Sequence, residues 1–163
     1  AAGSSVWVSK VTNSHEYTKA MKIAFAIDDV VLIESAIVWR EIEFAVLGSW
    51  DDIIVSVPWD IKSNWRYSYE EKYDALSTTE CMVVLDIDDE TLESCKRIVK
   101  QTYQILWCKG LSRVDWFLSI SWEFIINEVN TLPWFTSISM YPKLMQASWV
   151  TAPELMKKLI EFA

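Results

Sequence analysis

The sequence predicts a fold that combines α-helices with β-strands. Of its 163 residues, 52% are apolar and 23% are charged, which is typical of a folded globular chain of one domain or two small subdomains. Helices are predicted from apolar residues at helical spacing and from capping residues, at residues 14–27, 88–106, 136–148 and 153–162. Strands are predicted from short apolar or alternating runs, at residues 6–11, 30–34, 41–47, 53–57 and 83–85 and in a hairpin within 113–130.

The charge balance and the cysteines exclude several classes of function. The formal net charge is −8, whereas a protein that binds nucleic acid over a broad surface needs an excess of Lys and Arg. Three cysteines, no Cys-x-x-Cys motif and a single histidine favour reduced thiols over a disulfide scaffold or a zinc site. No apolar run is long enough to span a membrane. We therefore expect a cytoplasmic protein with no nucleic-acid partner and no membrane partner.

Capping residues and apolar patterns define the individual elements. Thr12 or Asn13 is the candidate N-cap of the first helix, and Glu16 is placed for a capping box with Asn13. One of the two aspartates at residues 88–89 caps the long second helix. Residues 30–34 (VVLIE) are predicted to form a buried strand, and residues 41–47 alternate as a half-buried strand does.

Two connections have the composition of ligand-binding loops. Residues 3–5 (GSS) could present backbone N–H and hydroxyl groups to an anion. The apolar linker at residues 35–40 is flanked by Glu34 and Glu41, so it could hold a flat base by backbone hydrogen bonds and a ribose by a carboxylate. The alternative is an ordinary connection with two surface carboxylates.

A third connection, residues 64–79, is polar, aromatic and too long for a tight turn. Loops of this length are often lids over a binding site. Lys72 and Tyr73 supply a cation and a phenol that could close over phosphates and a substrate. A solvated loop without such a role is the alternative.

The predicted hairpin within residues 113–130 carries the polar residues with the clearest chemistry. Because side chains alternate along a strand, Arg113 and Asp115 share one face of the first strand, and Glu128 and Asn130 share one face of the second. Pairing of the two strands could bring three oxygen ligands and one guanidinium together. Magnesium takes oxygen ligands and usually also holds substrate phosphates. The hairpin therefore indicates a phosphoryl-transfer site, with a solvated polar face as the alternative.

The chain resembles the C-terminal two-thirds of the D-alanine–D-alanine ligases, members of the ATP-grasp superfamily. The resemblance extends over essentially the whole chain, and its last two motifs are highly specific. The motifs are GSSVxVSKV at 3–11, REIEFAVLG at 40–48, YxYEEKY at 67–73, CKGLSRVDWFL at 108–118 and NEVNTLPxFTSISMYPKL at 127–144.

This resemblance implies an α+β, ATP-grasp fold, with residues 1–34 as part of the central subdomain and 35–163 as the C-terminal subdomain, whose lid is residues 64–79. It implies an enzyme that uses ATP and Mg²⁺ (or Mn²⁺) to join two D-alanines for peptidoglycan precursors, through an acyl-phosphate on the first that the amine of the second attacks. The full-length protein would be a cytoplasmic homodimer whose other partners are its substrates, D-alanine and ATP.

The resemblance also assigns roles to individual residues. The implied catalytic residues are Ser4, Tyr73 and Arg113, of which the arginine stabilises the tetrahedral intermediate. The implied nucleotide-binding residues are Glu34, Ser35, Ala36, Ile37, Glu41 and Lys72. The implied metal ligands are Asp115, Glu128 and Asn130, and the second substrate's carboxylate would contact Ser139 and Met140.

Three other functions are alternatives to this one. A D-alanine–D-lactate ligase differs in the lid, where Glu71, Lys72 and Tyr73 favour the dipeptide-forming enzyme. An inactive nucleotide-binding module is opposed by the intact set of hairpin residues. A truncated or non-functional fragment, or a scaffold, is the third, because the chain starts inside the family's central domain and lacks the N-terminal substrate glutamate.

The sequence departs from the family at its glycines. It contains ten Trp and three Gly, and seven of the Trp stand where the resemblance implies glycine: Trp7, Trp39, Trp59, Trp107, Trp122, Trp134 and Trp149. Trp50 and Trp65 are further candidates, and Trp134 replaces the glycine whose N–H helps to form the oxyanion hole. Some genetic codes translate UGA as glycine and others as tryptophan, so we interpret the pattern as a translation artefact. Deliberate substitution and gene decay are the alternatives.

Overall fold

The computed structural model describes residues 7–37, 40–61, 81–83, 87–119, 123–136 and 139–162, without the side chains of residues 61 and 81–83. The chain forms two compact units, which are described separately. Of the described residues, 7–37 belong to the first unit and the others to the second.

The described residues of the first unit contain one helix, α1 (Ser14–Phe25), whose start follows from its capping residues. The side chain of Asn13 accepts hydrogen bonds from the backbone N–H groups of His15 and Glu16, at 3.1 and 3.0 Å. The Glu16 carboxylate accepts from the backbone N–H of Thr12 at 2.8 Å, one residue earlier than a capping box requires. Of the two candidate caps, Asn13 is the N-cap, and the capping box differs in the partner of Glu16.

Two predicted strands of the first unit are wrong. Residues 8–11 and 30–34 have no regular secondary structure. Leu32 in the second segment is 83% exposed rather than buried. A strand exists only where a neighbouring ladder satisfies its backbone groups, and no described strand pairs with either segment. An apolar run in the sequence does not show whether a neighbouring strand is available to pair with it.

A six-stranded antiparallel sheet organises the second unit. Its strands are β1 (Arg40–Ser49), β2 (Asp52–Val55), β3 (Trp59–Ile61), β4 (Cys81–Val83), β5 (Gly110–Leu118) and β6 (Phe124–Asn130). They follow the order β4-β3-β1-β5-β6, and β2 also pairs with β1. The short strand β3 was not among the predicted elements.

Helices cover both faces of the central strand β1. Helix α2 (Asp89–Ile105) packs on one face, which includes Phe44 and Val46. Helices α3 (Met140–Ala147) and α4 (Ala152–Glu161) pack on the other, which includes Ala45 and Leu47. Residues 42–48 are consequently all buried. The expectation of a half-buried strand is wrong because a second layer of helices covers the face that the alternation left for solvent.

The hydroxyl of Tyr103 connects α2 to the ends of two strands. It lies 2.8 Å from the carbonyl oxygen of Gly48 on β1 and 3.0 Å from that of Gly110 on β5, so its proton is shared between them. Burial raises the pKa of Tyr103 to about 12, so the group stays a neutral donor at neutral pH.

We expect Tyr103→Phe to lower the free energy of unfolding by roughly 1–2 kcal/mol, because both carbonyls lose a buried donor while the ring is kept. Urea denaturation followed by circular dichroism measures this change. Tyr17→Phe on α1, where the ring is 40% exposed, is the matched control and should change stability little. Equal stability of the two variants would show that the shared hydrogen bond contributes nothing.

Three Trp residues have the left-handed backbone that favours glycine, and they are the only non-glycine residues with positive φ in the described part of the chain. Trp107 (φ 56°) and Trp149 (φ 66°) follow the C-caps of α2 and α3. Trp50 (φ 43°) is the first residue of the two-residue turn between β1 and β2, another glycine position.

Both helix ends form the same hydrogen-bonded motif. Trp107 donates its N–H to the carbonyl of Gln104 at 3.0 Å, and Cys108 donates to that of Tyr103 at 3.0 Å. After α3, Trp149 donates to Gln146 at 3.1 Å, and the next residue donates to the carbonyl of residue 145 at 3.0 Å. These are Schellman motifs, in which the left-handed residue is usually glycine. The local geometry therefore matches the glycines that the family resemblance implies at residues 107 and 149.

Candidate metal and intermediate-binding site

The register of β1, β5 and β6 places the predicted site residues in two adjacent rows across the sheet. Glu43 on β1 lies opposite Asp115 on β5, which lies opposite Glu128 on β6. In the next row, Arg113 lies opposite Asn130. The predicted hairpin therefore forms, and residues directly opposite one another share a face of the sheet.

A β-bulge adjoins these rows. Asp115 pairs with Glu128, but the next residue, Trp116, pairs with Ile126, so Asn127 is an extra residue on β6. A shift of one residue turns the following side chains to the opposite face. The bulge therefore lets Ile126 share the face of the core residue Trp116 while Glu128 shares the face of Asp115.

Arg113 forms the central ion pair of the site. Its Nε donates to Oδ1 of Asp115 at 2.7 Å, and its Nη2 donates to Oδ2 at 2.6 Å. Its Nε also lies 3.3 Å from Oε1 of Glu43. Burial alone would lower the pKa of Arg113, but the hydrogen bonds to Asp115 and the charges of Glu43, Asp115 and Glu128 outweigh it and raise the pKa. The guanidinium is thus a fixed positive charge at any working pH.

Sequence reasoning missed Glu43. The residue is 4% exposed and belongs to the REIEFAVLG motif, two residues after Glu41. Its position on a strand with alternating residues suggested the solvent side. Only the pairing of β1 with β5 places Glu43 opposite Asp115. These two strands are far apart in the sequence, so no local pattern indicates that they pair.

The donor chemistry of the rows fits a magnesium ion. Asp115, Glu128 and Asn130 offer carboxylate and amide oxygens from adjacent positions on two strands. The described residues contain no cluster of three or more His, Cys, Asp or Glu side chains that could hold a metal. Both oxygens of Asp115 bind Arg113, and the amide oxygen of Asn130 accepts the backbone N–H of Leu132 at 3.1 Å. A metal ion would have to compete with these bonds.

The predicted substrate residues lie at the start of α3. Ser139 is its N-cap and Met140 its first residue. The Ser139 hydroxyl accepts the N–H of Thr136 at 3.0 Å and lies 2.7 Å from the Thr136 hydroxyl, so it forms no capping bond to its own helix. A helix N-terminus attracts anions. Met140 packs against the cluster that includes Ala45, which lies opposite Arg113 in the sheet.

The predicted nucleotide-binding residues are divided between the two units. Residues 34–37 belong to the first, where Glu34, Ser35 and Ala36 are exposed in an irregular segment. Glu41 belongs to the second, near the start of β1. The remaining predictions, Ser4, Lys72, Tyr73 and the lid at residues 64–79, lie outside the described residues.

Comparison with known proteins identifies the family. A family profile described as D-ala D-ala ligase C-terminus matches residues 1–161. The chain belongs to the D-alanine–D-alanine ligase family. It is 45% identical to the D-alanine--D-alanine ligase of Baumannia cicadellinicola over 161 residues, which cover 99% of this chain and 43% of that protein. It is also 45% identical to D-alanine--D-alanine ligase A of Salmonella typhimurium, covering 99% of this chain and 44% of that one.

Solved structures of this family share the fold. The D-alanine-D-alanine ligase from Coxiella burnetii aligns with a TM-score of 0.82 and 34% identity, over 98% of this chain and 42% of that one. The VanG D-Ala:D-Ser ligase from Enterococcus faecalis aligns with a TM-score of 0.84 and 36% identity, over 98% and 46%. The predicted α+β, ATP-grasp fold is confirmed.

The chain spans less than half the length of these ligases, and not the two-thirds that the resemblance suggested. Among the described residues of this family member, no helix is long and apolar enough to cross a membrane.

Proposed function

We propose that the chain supplies the metal-binding and intermediate-stabilising part of an ATP-dependent ligase that joins two D-alanines for peptidoglycan precursors. The ion pair of Arg113 with Asp115, which lies opposite Glu128 in the sheet, carries the proposal. It unites a half-buried, permanently charged guanidinium with carboxylates suited to a divalent cation. Family membership supports ATP, a divalent metal and D-alanine as the reactants.

In this proposal, Asp115, Glu128 and Asn130 hold Mg²⁺ or Mn²⁺. When bound, the ion neutralises the charge of the nucleotide phosphates and of the transferred phosphoryl group. Arg113 then faces the carbonyl carbon of the acyl-phosphate. As the amine of the second D-alanine attacks that carbon, negative charge develops on the carbonyl oxygen, and the fixed guanidinium stabilises it.

The other predicted residues complete the proposed site. Ser139 and Met140, at the N-terminus of α3, would orient the carboxylate of the second D-alanine. The adenosine would bind the linker from Ser35 to Ile37 together with Glu34 and Glu41. Lys72 would bind the nucleotide phosphates, and Ser4 and Tyr73 would close the site when residues 64–79 cover it.

Further parts of the proposal concern the whole ligase. Residues 1–34 would correspond to part of the central subdomain and residues 35–163 to the C-terminal subdomain, within a cytoplasmic homodimer. D-Lactate as the second substrate is not favoured, because the named relatives of this chain form dipeptides.

The test is D-alanine-dependent phosphate release from Mg-ATP. The enzyme is a chimera in which this chain, with glycine at residues 7, 39, 50, 59, 107, 122, 134 and 149, replaces the matching part of the Salmonella typhimurium ligase. Phosphate release that depends on D-alanine, and that Asp115→Asn abolishes, is the expected result. A correctly folded chimera that releases no phosphate would contradict the proposal. Binding of Mg-ATP without turnover would instead indicate a nucleotide-binding module.

A further inference from the structure

We propose that Glu43 is a positioning residue, which holds the Arg113 guanidinium in place when Asp115 turns to a metal ion. The inference rests on the proposed function, because it requires Asp115 to be a metal ligand. It adds a residue on a third strand, β1, to the site formed by the hairpin of β5 and β6.

Arg113 and a metal ion compete for the same two oxygens. Both oxygens of Asp115 accept hydrogen bonds from the guanidinium, at 2.7 and 2.6 Å. A cation that coordinates Asp115 takes at least one of these oxygens and repels the adjacent positive charge. Without another acceptor, Arg113 would lose its position at the moment when the metal binds.

Glu43 is placed to be that acceptor. Its Oε1 lies 3.3 Å from the Nε of Arg113, longer than the hydrogen bonds to Asp115, so a shift of a few tenths of an ångström completes a bond. The residue opposite Arg113 on β1 is Ala45, whose methyl group leaves room for the arginine to lean along the strand towards Glu43. The guanidinium can therefore exchange Asp115 for Glu43, because these two carboxylates lie opposite each other in the row next to Arg113.

The charges of the row support this exchange. Glu43, Asp115 and Glu128 are three carboxylates in register, and Arg113 is the cation that forms ion pairs with the first two. A divalent ion would complete the neutralisation of the row. Glu43 and Asp115 are 4% and 1% exposed, so water cannot replace the ion pair with Arg113 if either carboxylate loses it. The charge balance and the position of Glu43 therefore both support its role as the second acceptor for Arg113.

The test is Mn²⁺ binding to this chain, followed by electron paramagnetic resonance of the free ion. Glu43→Gln removes the charge and keeps the length, whereas Glu43→Asp keeps the charge and removes the reach. We expect both to weaken Mn²⁺ binding by about tenfold, the size of one charge-assisted hydrogen bond. Glu90→Gln, an exposed carboxylate of α2, is the matched control and should bind as the unmodified chain does.

Different outcomes separate this inference from the proposed function. Binding by Glu43→Asp equal to that of the unmodified chain would show that only charge matters and overturn the positioning role. Binding abolished by Asp115→Asn but unchanged in Glu43→Gln would also overturn it, while leaving the metal site intact. If the unmodified chain binds no Mn²⁺, both proposals fail.

A second measurement needs no variant at Glu43. The Nε proton of Arg113, observed by ¹⁵N nuclear magnetic resonance and assigned with Arg113→Lys, should remain protected from exchange after Mg²⁺ is added. Loss of that protection on Mg²⁺ binding would show that no acceptor replaces Asp115 and would overturn the inference.

Discussion

Arg113→Met is expected to lower the free energy of unfolding by roughly 3–5 kcal/mol, because it leaves two buried carboxylates without their cation. Glu43 and Asp115 are both almost fully buried and both lie within ion-pair distance of the guanidinium. Urea denaturation at pH 7 measures the loss. Arg97→Met, on the exposed side of α2, is the control and should change stability by less than about 0.5 kcal/mol.

A double variant separates the charge effect from the loss of packing. Asp115→Leu combined with Arg113→Met removes both members of the closest pair, so we expect it to recover part of the stability that Arg113→Met loses. A double variant less stable than Arg113→Met would show that Arg113 contributes mainly by packing. In the chimeric ligase, Arg113→Met should reduce turnover by about 10²–10³-fold, as expected when a donor to a developing oxyanion is removed.

Trp149→Gly and Trp116→Gly are expected to change stability in opposite directions. Trp149 is 92% exposed with φ 66°, so glycine relieves a left-handed strain of about 1–2 kcal/mol and removes no core packing. After the entropic cost of glycine, we expect a net gain of about 1 kcal/mol, or about 2–4 °C in Tm. Trp116 is fully buried against Phe44 and Phe124, so its removal should cost more than about 3 kcal/mol.

Thermal unfolding of the two variants and of Trp149→Ala measures both effects. Alanine keeps most of the left-handed strain, so it should stabilise less than glycine does. If alanine and glycine stabilise equally, the gain comes from removing an exposed indole and not from the backbone. UGG codons at residues 107 and 149 would rule out the translation hypothesis, whatever the stability of the variants.

The sequence predicted the helices better than the sheet, because a helix is held by local signals. Helix α2 begins at Asp89, and its cap is Asp88, one of the two candidate aspartates; α4 lies within one residue of its predicted range. Helix α3 begins at Met140, four residues after its predicted start, because the preceding turn is held by hydrogen bonds between Thr136 and Ser139. Side-chain bonds of this kind compete with helix formation.

The candidate site was predictable on the hairpin and not beyond it. Arg113, Asp115, Glu128 and Asn130 belong to two strands joined by a short connection, so alternation was enough to bring them together. Glu43 reaches the same row only through pairing of β1 with β5, more than sixty residues later in the chain. Whether two strands so far apart in the sequence pair depends on how helices cover the sheet. The alternation of residues within one strand gives no information about that packing.

The bulge on β6 has a consequence for how the chain tolerates changes in length. Asn127 pairs with no residue of β5, so β6 carries one residue more than β5 in this part of the ladder. If Asn127 is deleted, either Ile126 or Glu128 must turn to the wrong side of the sheet. The placement of Ile126 on the face of Trp116 and the position of Glu128 in the site therefore both depend on the number of residues between 124 and 130.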